Sequence, residues 1–199
     1  DPTSGTISYK NHNINEYNSA DYRRLIGVVF QDFQMFGATL AENVVMDHLQ
    51  EDELEEKIHK IKSSLINSGF EEKLNKLENG LFTQVTTEFD KKGVDFSGGE
   101  SQKVAISRAF YKDAEILIMD EPSSALDPIA EYELNKAMET AAKGKTVFYI
   151  SHRLSTTRDA DRIIMLEQGQ IIEEGTHAQL LVQNGKYAQM WHTQAGNYN

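Results

Sequence analysis

The chain has 199 residues, 39% hydrophobic and 26% charged, the make-up of a globular protein with room for a core rather than of a disordered one. Its 31 acidic and 20 basic residues give a net charge of -11, which repels nucleic acid and anionic lipid, so that no nucleic-acid partner is expected. With no cysteine it has neither disulfides nor thiolate metal sites, and no run approaches the roughly 18 apolar residues that span a bilayer.

The opening Asp1-Pro2-Thr3-Ser4-Gly5 is turn chemistry without an initiating Met or a signal peptide, and the chain reads as an excised piece of something longer. Residues 6–9 alternate like a strand, and Ile26-Gly27-Val28-Val29-Phe30 is a second apolar run. Gln31 follows it directly, a polar residue where a buried strand ends. From 39 to 70 the pattern is helical and acidic, densest in Glu51-Asp52-Glu53-Leu54-Glu55-Glu56, which reads as a solvated face. Leu54, Ile58, Ile61 and Leu65 recur at three- and four-residue spacing and give this region an apolar side, so a helical subdomain is predicted. Residues 80–95, with glycines, threonines and mixed charge around Thr87-Glu88-Phe89-Asp90, read as an exposed connection.

Phe96-Ser97-Gly98-Gly99-Glu100 is a glycine-containing turn that opens a helix over 101–111, with Val104, Ala105 and Ala109 inward. Free N–H groups at such a start point toward an anion. Residues 116–119 form a short apolar central strand that ends in Asp120-Glu121. A buried strand with two carboxylates at its tip is one way to hold a magnesium ion and a water near a nucleotide phosphate. Asp127 fits an N-cap and Pro128 the first helical position. Residues 146–150 have buried-strand composition and end at Ser151-His152. The alternation of strand and helix predicts parallel crossover units with helices on both sheet faces. Glu167-Gln168-Gly169 is a hairpin signal between 162–166 and 170–173, and residues 176–182 and 187–191 are short closing helices. There is no internal repeat, heptad array or low-complexity tract.

Singly, each motif has a plain structural reading: a turn, a strand-end cap, a surface histidine. Their order carries more. The sequence resembles the nucleotide-binding domain of the ATP-binding cassette (ABC) family. Phe96 to Glu100 looks like the signature motif, and Ile116 to Glu121 like the Walker B strand with its following glutamate. Ser124-Ala125-Leu126-Asp127 matches the D-loop, His152 the switch histidine and Gln31 the Q-loop glutamine. Phe30-Gln31-Asp32 with Phe36, and the Thr87-Glu88 stretch, resemble exporters whose membrane helices precede the cassette in one polypeptide. The resemblance implies an α/β fold: a mainly parallel sheet with flanking helices, a P-loop NTPase-like ABC ATPase core, plus an α-helical subdomain. It implies three regions: 1–38 as the remainder of the N-terminal core with the Q-loop, 39–112 as the helical subdomain with the signature, and 113–199 as the C-terminal RecA-like core.

It also implies a function, ATP binding and hydrolysis with Mg2+ that powers export through head-to-tail dimerisation. The expected partners are a second nucleotide-binding domain and the exporter's transmembrane domain, and the expected location is the cytoplasmic face of the cell membrane. Glu121, His152 and Gln31 would be catalytic, Asp120 and Gln31 would serve the metal, and Ser97, Gly98, Gly99 and Asp127 would contact the nucleotide. Gln31, Asp120, Glu121 and His152 are expected to converge on one cleft beside the central sheet. Phe96 and Glu100 depart from the usual leucine and glutamine of the signature, and Glu100 adds negative charge near a phosphate site. The Gly-x-x-x-x-Gly-Lys-Ser/Thr phosphate loop does not occur in these residues, and neither does the strand region that surrounds it. The chain is therefore expected to begin after that loop and to be inactive by itself. A catalytically inactive or truncated cassette acting as a structural or regulatory partner is the alternative. A chromosome-maintenance ATPase would need heptad arms and a basic surface, which the sequence lacks.

Overall fold

The computed structural model describes residues 2–49, 54–88, 91–123 and 126–196. Residues 51–53 of the acidic run, Phe89 and Asp90 of the connection, and Ser124 and Ala125 of the D-loop match lie outside them. The chain divides into two compact units, Asp1–Phe148 and Tyr149–Asn199, and each is described by itself.

The first unit opens with a small antiparallel pair, β1 (Ser8–Tyr9) and β2 (His12–Asn13). Helix α1 (Ser19–Arg24) follows, capped by Asn18, whose side chain accepts the Ala20 N–H at 2.9 Å. Strand β3 (Ile26–Val29) comes next. A helical block is built from α2 (Leu40–Val45), α3 (Leu54–Asn67), α4 (Glu71–Lys76) and α5 (Gly98–Lys112). Strand β4 (Ile116–Asp120), helix α6 (Pro128–Ala141) and strand β5 (Thr146–Ile150) complete the series. Strand β5 runs past the end of this unit, and its Phe148 and Ile150 are exposed rather than buried as its composition predicts.

The sheet order is β3-β4-β5, with β3 parallel to β4 and Ile26 opposite Ile116 through to Val29 opposite Met119. Two parallel strands so far apart in sequence need a long crossover, and the helical block supplies it. Val29, Leu117 and Met119 are buried, and α1 and α5 pack against β3.

The helical block has its own core, in which Leu40 and Val44 of α2, Ile61 and Leu65 of α3, Phe70, Leu74 of α4 and Val104 of α5 are buried together. Ile61 and Leu65 lie on the predicted apolar face of α3, with Ile58 packed at its edge. The side chain of Leu54 lies outside those described. The helical pattern over 39–70 is interrupted at Met46, which caps α2 in the left-handed region at φ 63°. The expected exposed connection over 80–95 is corrected in its first half. Leu81 and Val85 are buried in the helical core, and bridges pair Thr39 with Gln84 and Val85 with Val94. Two apolar residues in a glycine- and threonine-rich stretch are enough to anchor it. Thr87 and Glu88 are exposed.

In the second unit, β6 (Ile163–Glu167) and β7 (Gln170–Gly175) form the predicted hairpin, turned by Gln168 at φ 49° and Gly169 at φ 77°. Two consecutive positive φ values are what a tight two-residue hairpin turn requires. Helices α7 (His177–Gln183) and α8 (Lys186–Gly196) close it, around a core of Leu154, Ile163, Leu180 and Tyr187. Among the described residues no helix is long and apolar enough to cross a membrane.

Candidate active site

The register of β3 and β4 builds the centre of the site. With Val29 opposite Met119, continuing both strands by two residues sets Gln31 against Glu121. The Gln31 Nε2 does donate to Glu121 Oε2, at 3.5 Å, a long bond between two groups at the open ends of neighbouring strands. Asp120, the last residue of β4, stands beside Glu121 in the chain and is half-buried. The structure therefore brings together Gln31 and the Asp120-Glu121 pair. One or two carboxylates with an amide oxygen form a hard, oxygen-only donor set, and that suits Mg2+, which keeps several waters and takes substrate phosphates as further ligands.

Glu121 leaves the strand with φ 45°, in the left-handed region that a residue with a side chain adopts only at a cost of roughly 1–3 kcal/mol. Such strain persists where the surroundings hold it. One holder is Gln102 on α5, which is 1% exposed and donates through Nε2 to the Glu121 carbonyl at 3.5 Å. Helix α5 thereby touches the backbone of the residue that ends the carboxylate pair.

The segment after Gln31 is fixed from beneath. The Arg108 guanidinium on α5 donates to the Gln34 carbonyl at 2.8 Å and to the Asn43 carbonyl at 2.9 Å, and its cation lies 5.7 Å from the Phe36 ring. Burial pushes the Arg108 guanidinium down to about 10, still charged at neutral pH. Asn43 is 1% exposed and pairs both ways with Phe36, accepting its N–H and donating to its carbonyl, each at 2.9 Å. Neither Arg108, Asn43 nor Gln102 was singled out by the sequence motifs. A signal existed for Arg108, which lies four residues after Val104 on the buried face of α5, where a cation has to be bonded.

Ser97, Gly98 and Gly99 stand at the start of α5. Ser97 is the N-cap, and its Oγ accepts the Glu100 N–H at 3.3 Å while Glu100 Oε2 accepts the Ser97 N–H at 2.8 Å. This capping box leaves the serine hydroxyl proton able to turn outward. Glu100 also pairs with Lys73, at 3.0 Å. Its carboxyl is pushed up most by burial, but the Ser97 N–H and Lys73 together hold it below the ordinary glutamate value.

Asp127 caps α6, with Oδ1 accepting the Ile129 and Ala130 N–H groups at 2.9 and 3.0 Å. The Ala130 bond foremost lowers its carboxyl; burial opposes it, and the Ile129 bond adds to the lowering. His152 lies in the second unit, where its side chain is exposed and its backbone is clamped. Gln194 of α8 donates to the His152 carbonyl at 2.7 Å and accepts the Leu154 N–H at 2.9 Å.

Carboxylates at the end of a parallel strand, a glutamine just past the end of the neighbouring strand and an open glycine-bearing helix start are parts that suit an α/β domain handling nucleotide phosphates. The ABC transporter family model matches residues 1–124, more than half of the chain, and the chain belongs to that family. It is 40% identical over 187 residues to an ATP-dependent lipid A-core flippase of Chromohalobacter salexigens, covering 94% of this chain and 31% of the relative. The flippase of Cupriavidus metallidurans is 39% identical over 188 residues, with the same coverage. The fold is similar to that of a bacterial Atm1-family ABC exporter with ATP bound, at a TM-score of 0.84 and 32% identity, covering 98% of this chain and 33% of that one. The chain thus corresponds to the nucleotide-binding domain of ABC exporters and spans about a third of the length of the relatives it matches.

Proposed function

We propose that this chain supplies the hydrolytic half of an ATP site in an exporter, with two nucleotide-binding domains meeting head to tail and coupled to a transmembrane domain at the cytoplasmic face of the membrane. The observation that carries it is the parallel β3–β4 register, which sets Gln31 beside Glu121 and Asp120. Glu121 orients or deprotonates the attacking water, held in its position by Gln31 and, through its backbone, by Gln102. Asp120 and the Gln31 amide oxygen would hold a magnesium ion. A magnesium ion held there would supply positive charge against the negative charge that develops on the phosphate. His152 donates to the terminal phosphate. Ser97 and the amides of Gly98 and Gly99 receive the phosphate of the partner's nucleotide at the positive end of α5, and Asp127 shapes that partner site.

In this reading residues 1–38 carry the Q-loop, 39–112 the signature, and 113–199 the Walker B strand, D-loop and switch histidine. The exposed Phe30 and Phe36 rings around the Gln31 segment support a neighbouring apolar partner such as a transmembrane domain. The test is magnesium-dependent ATP hydrolysis by the intact protein with Glu121→Gln. Turnover should fall by about 10²–10⁴-fold while ATP still binds, the size of a lost general base. Turnover that survives the substitution would sink the assignment. The 199-residue polypeptide assayed alone should show no turnover, because its sequence contains no phosphate loop.

A further inference from the structure

The two residues at which this signature departs from the family pattern touch the same lysine. Lys73, on α4, places its Nζ 3.0 Å from Glu100 Oε1 and 5.7 Å from the centre of the Phe96 ring. The Phe96 ring stands edge-on to Phe70 at 5.2 Å, and Phe70 is buried in the helical core, so the turn before α5 is anchored on its apolar side too. The Lys73 and Glu100 side chains are 28% and 29% exposed, sheltered enough for their attraction to escape much of the screening that weakens open surface pairs. Lys76, one turn-length along α4, is bonded to Glu72 at 2.6 Å and feels Glu100 only weakly, so it serves as the neighbouring cation for comparison.

An ionised carboxylate at the start of α5 opposes the positive end of the helix and repels any phosphate that approaches Ser97. The capping box turns Glu100 back toward the Ser97 N–H, but this leaves its charge in place. A cation on its other oxygen removes that charge from view. We propose that Lys73 is a positioning residue of the nucleotide site, neutralising Glu100 and bracing Phe96 so that a signature with an acidic fifth residue still accepts the terminal phosphate of ATP. This rests on the reading that the start of α5 receives that phosphate.

The test uses the intact protein and compares wild type with Lys73→Met, Glu100→Gln, the double variant and Lys76→Met, measuring hydrolysis against MgATP concentration at low and high salt. Lys73→Met should raise KM for MgATP by about fivefold or more, the order expected for one uncovered charge a few ångströms from a phosphate, and the rise should shrink in high salt. The double variant should return to within about twofold of wild type, and Lys76→Met should stay there throughout. An unchanged KM in Lys73→Met overturns the proposal. So does a double variant as poor as Lys73→Met, or a loss confined to kcat and indifferent to salt, either of which would mark a contact that only holds the fold. A wild-type protein without Glu121-dependent hydrolysis would instead remove the proposed function and this proposal together, so the two failures are told apart.

Discussion

Helices α2 and α5 begin with the same device. Thr39 and Ser97 both occupy the N-cap in extended backbone, and their hydroxyls accept the N–H of a glutamate three residues on, at 3.2 Å from Glu42 and 3.3 Å from Glu100. Both glutamates return a bond to the N-cap N–H, at 3.0 and 2.8 Å. The difference lies in what surrounds each box. Thr39 is followed by Leu40 and Ala41, buried in the helical core. Ser97 is followed by Gly98 and Gly99, which have no side chain to cover their amides, and Ser97 and Gly98 are exposed. Glu42 reaches His48, which is 94% exposed, whereas Glu100 reaches the sheltered Lys73. A capping box fixes where a helix starts. The glycines and the neighbouring cation decide whether that start is open to an anion.

The largest effect should come from the core that both helices share. Leu65 is fully buried among Leu40 of α2 and Val104 of α5, and Leu65→Ala should cost about 2–5 kcal/mol of stability in urea unfolding. A cost under about 1 kcal/mol would mean that the two helix starts are not supported by one core. Smaller, and more telling, is the contrast between the caps themselves. Thr39→Ala and Ser97→Ala should each lose about 1 kcal/mol of stability, since each removes one N-cap acceptor. In the intact protein only Ser97→Ala should also slow ATP hydrolysis, by about tenfold, the worth of one charge-assisted hydrogen bond to phosphate. Equal activities in the two variants would erase the distinction drawn between them.

The features with a local signal were legible in the sequence. Asp127-Pro128 opens a helix because an acceptor side chain and a preset φ act within one turn, and the Gln168-Gly169 hairpin and the apolar β4 are equally local. The burial of Leu81 and Val85 was not legible, because it depends on α2 and α3 folding over them rather than on any periodicity of their own. Met46 ends α2 in a left-handed conformation without the glycine that usually announces one. At the site, residue types pointed to Gln31 and Glu121, but their meeting depends on the β3–β4 register, which apolar runs alone do not set. The pairing of Lys73 with Glu100 joins two helices far apart in the chain, and no spacing rule reaches that distance.

The smallest expected effect separates the two boxes by acid. Both glutamates titrate below the ordinary value. For Glu42 the main cause is the Thr39 N–H, opposed by burial; for Glu100 burial acts most strongly and in the opposite sense, but the Ser97 N–H and Lys73 outweigh it. A carboxyl lowered by folding stabilises the folded state above its unfolded pKa of about 4.3, and this contribution is lost as pH falls through the lower folded value. Both boxes should therefore be at full strength at neutral pH and weaken only in the acid range below about pH 4. Glutamine can still make the box's reciprocal bond but carries no charge, so Glu42→Gln and Glu100→Gln should each flatten the acid limb of urea-measured stability by lowering it modestly at neutral pH and changing it little below about pH 4. Lys73→Met should flatten the part that belongs to Glu100 and leave the part that belongs to Glu42. If it leaves the acid limb as steep as in wild type, Lys73 adds nothing to the Ser97 N–H in holding Glu100 ionised, and the neighbouring cation does not distinguish the two helix starts.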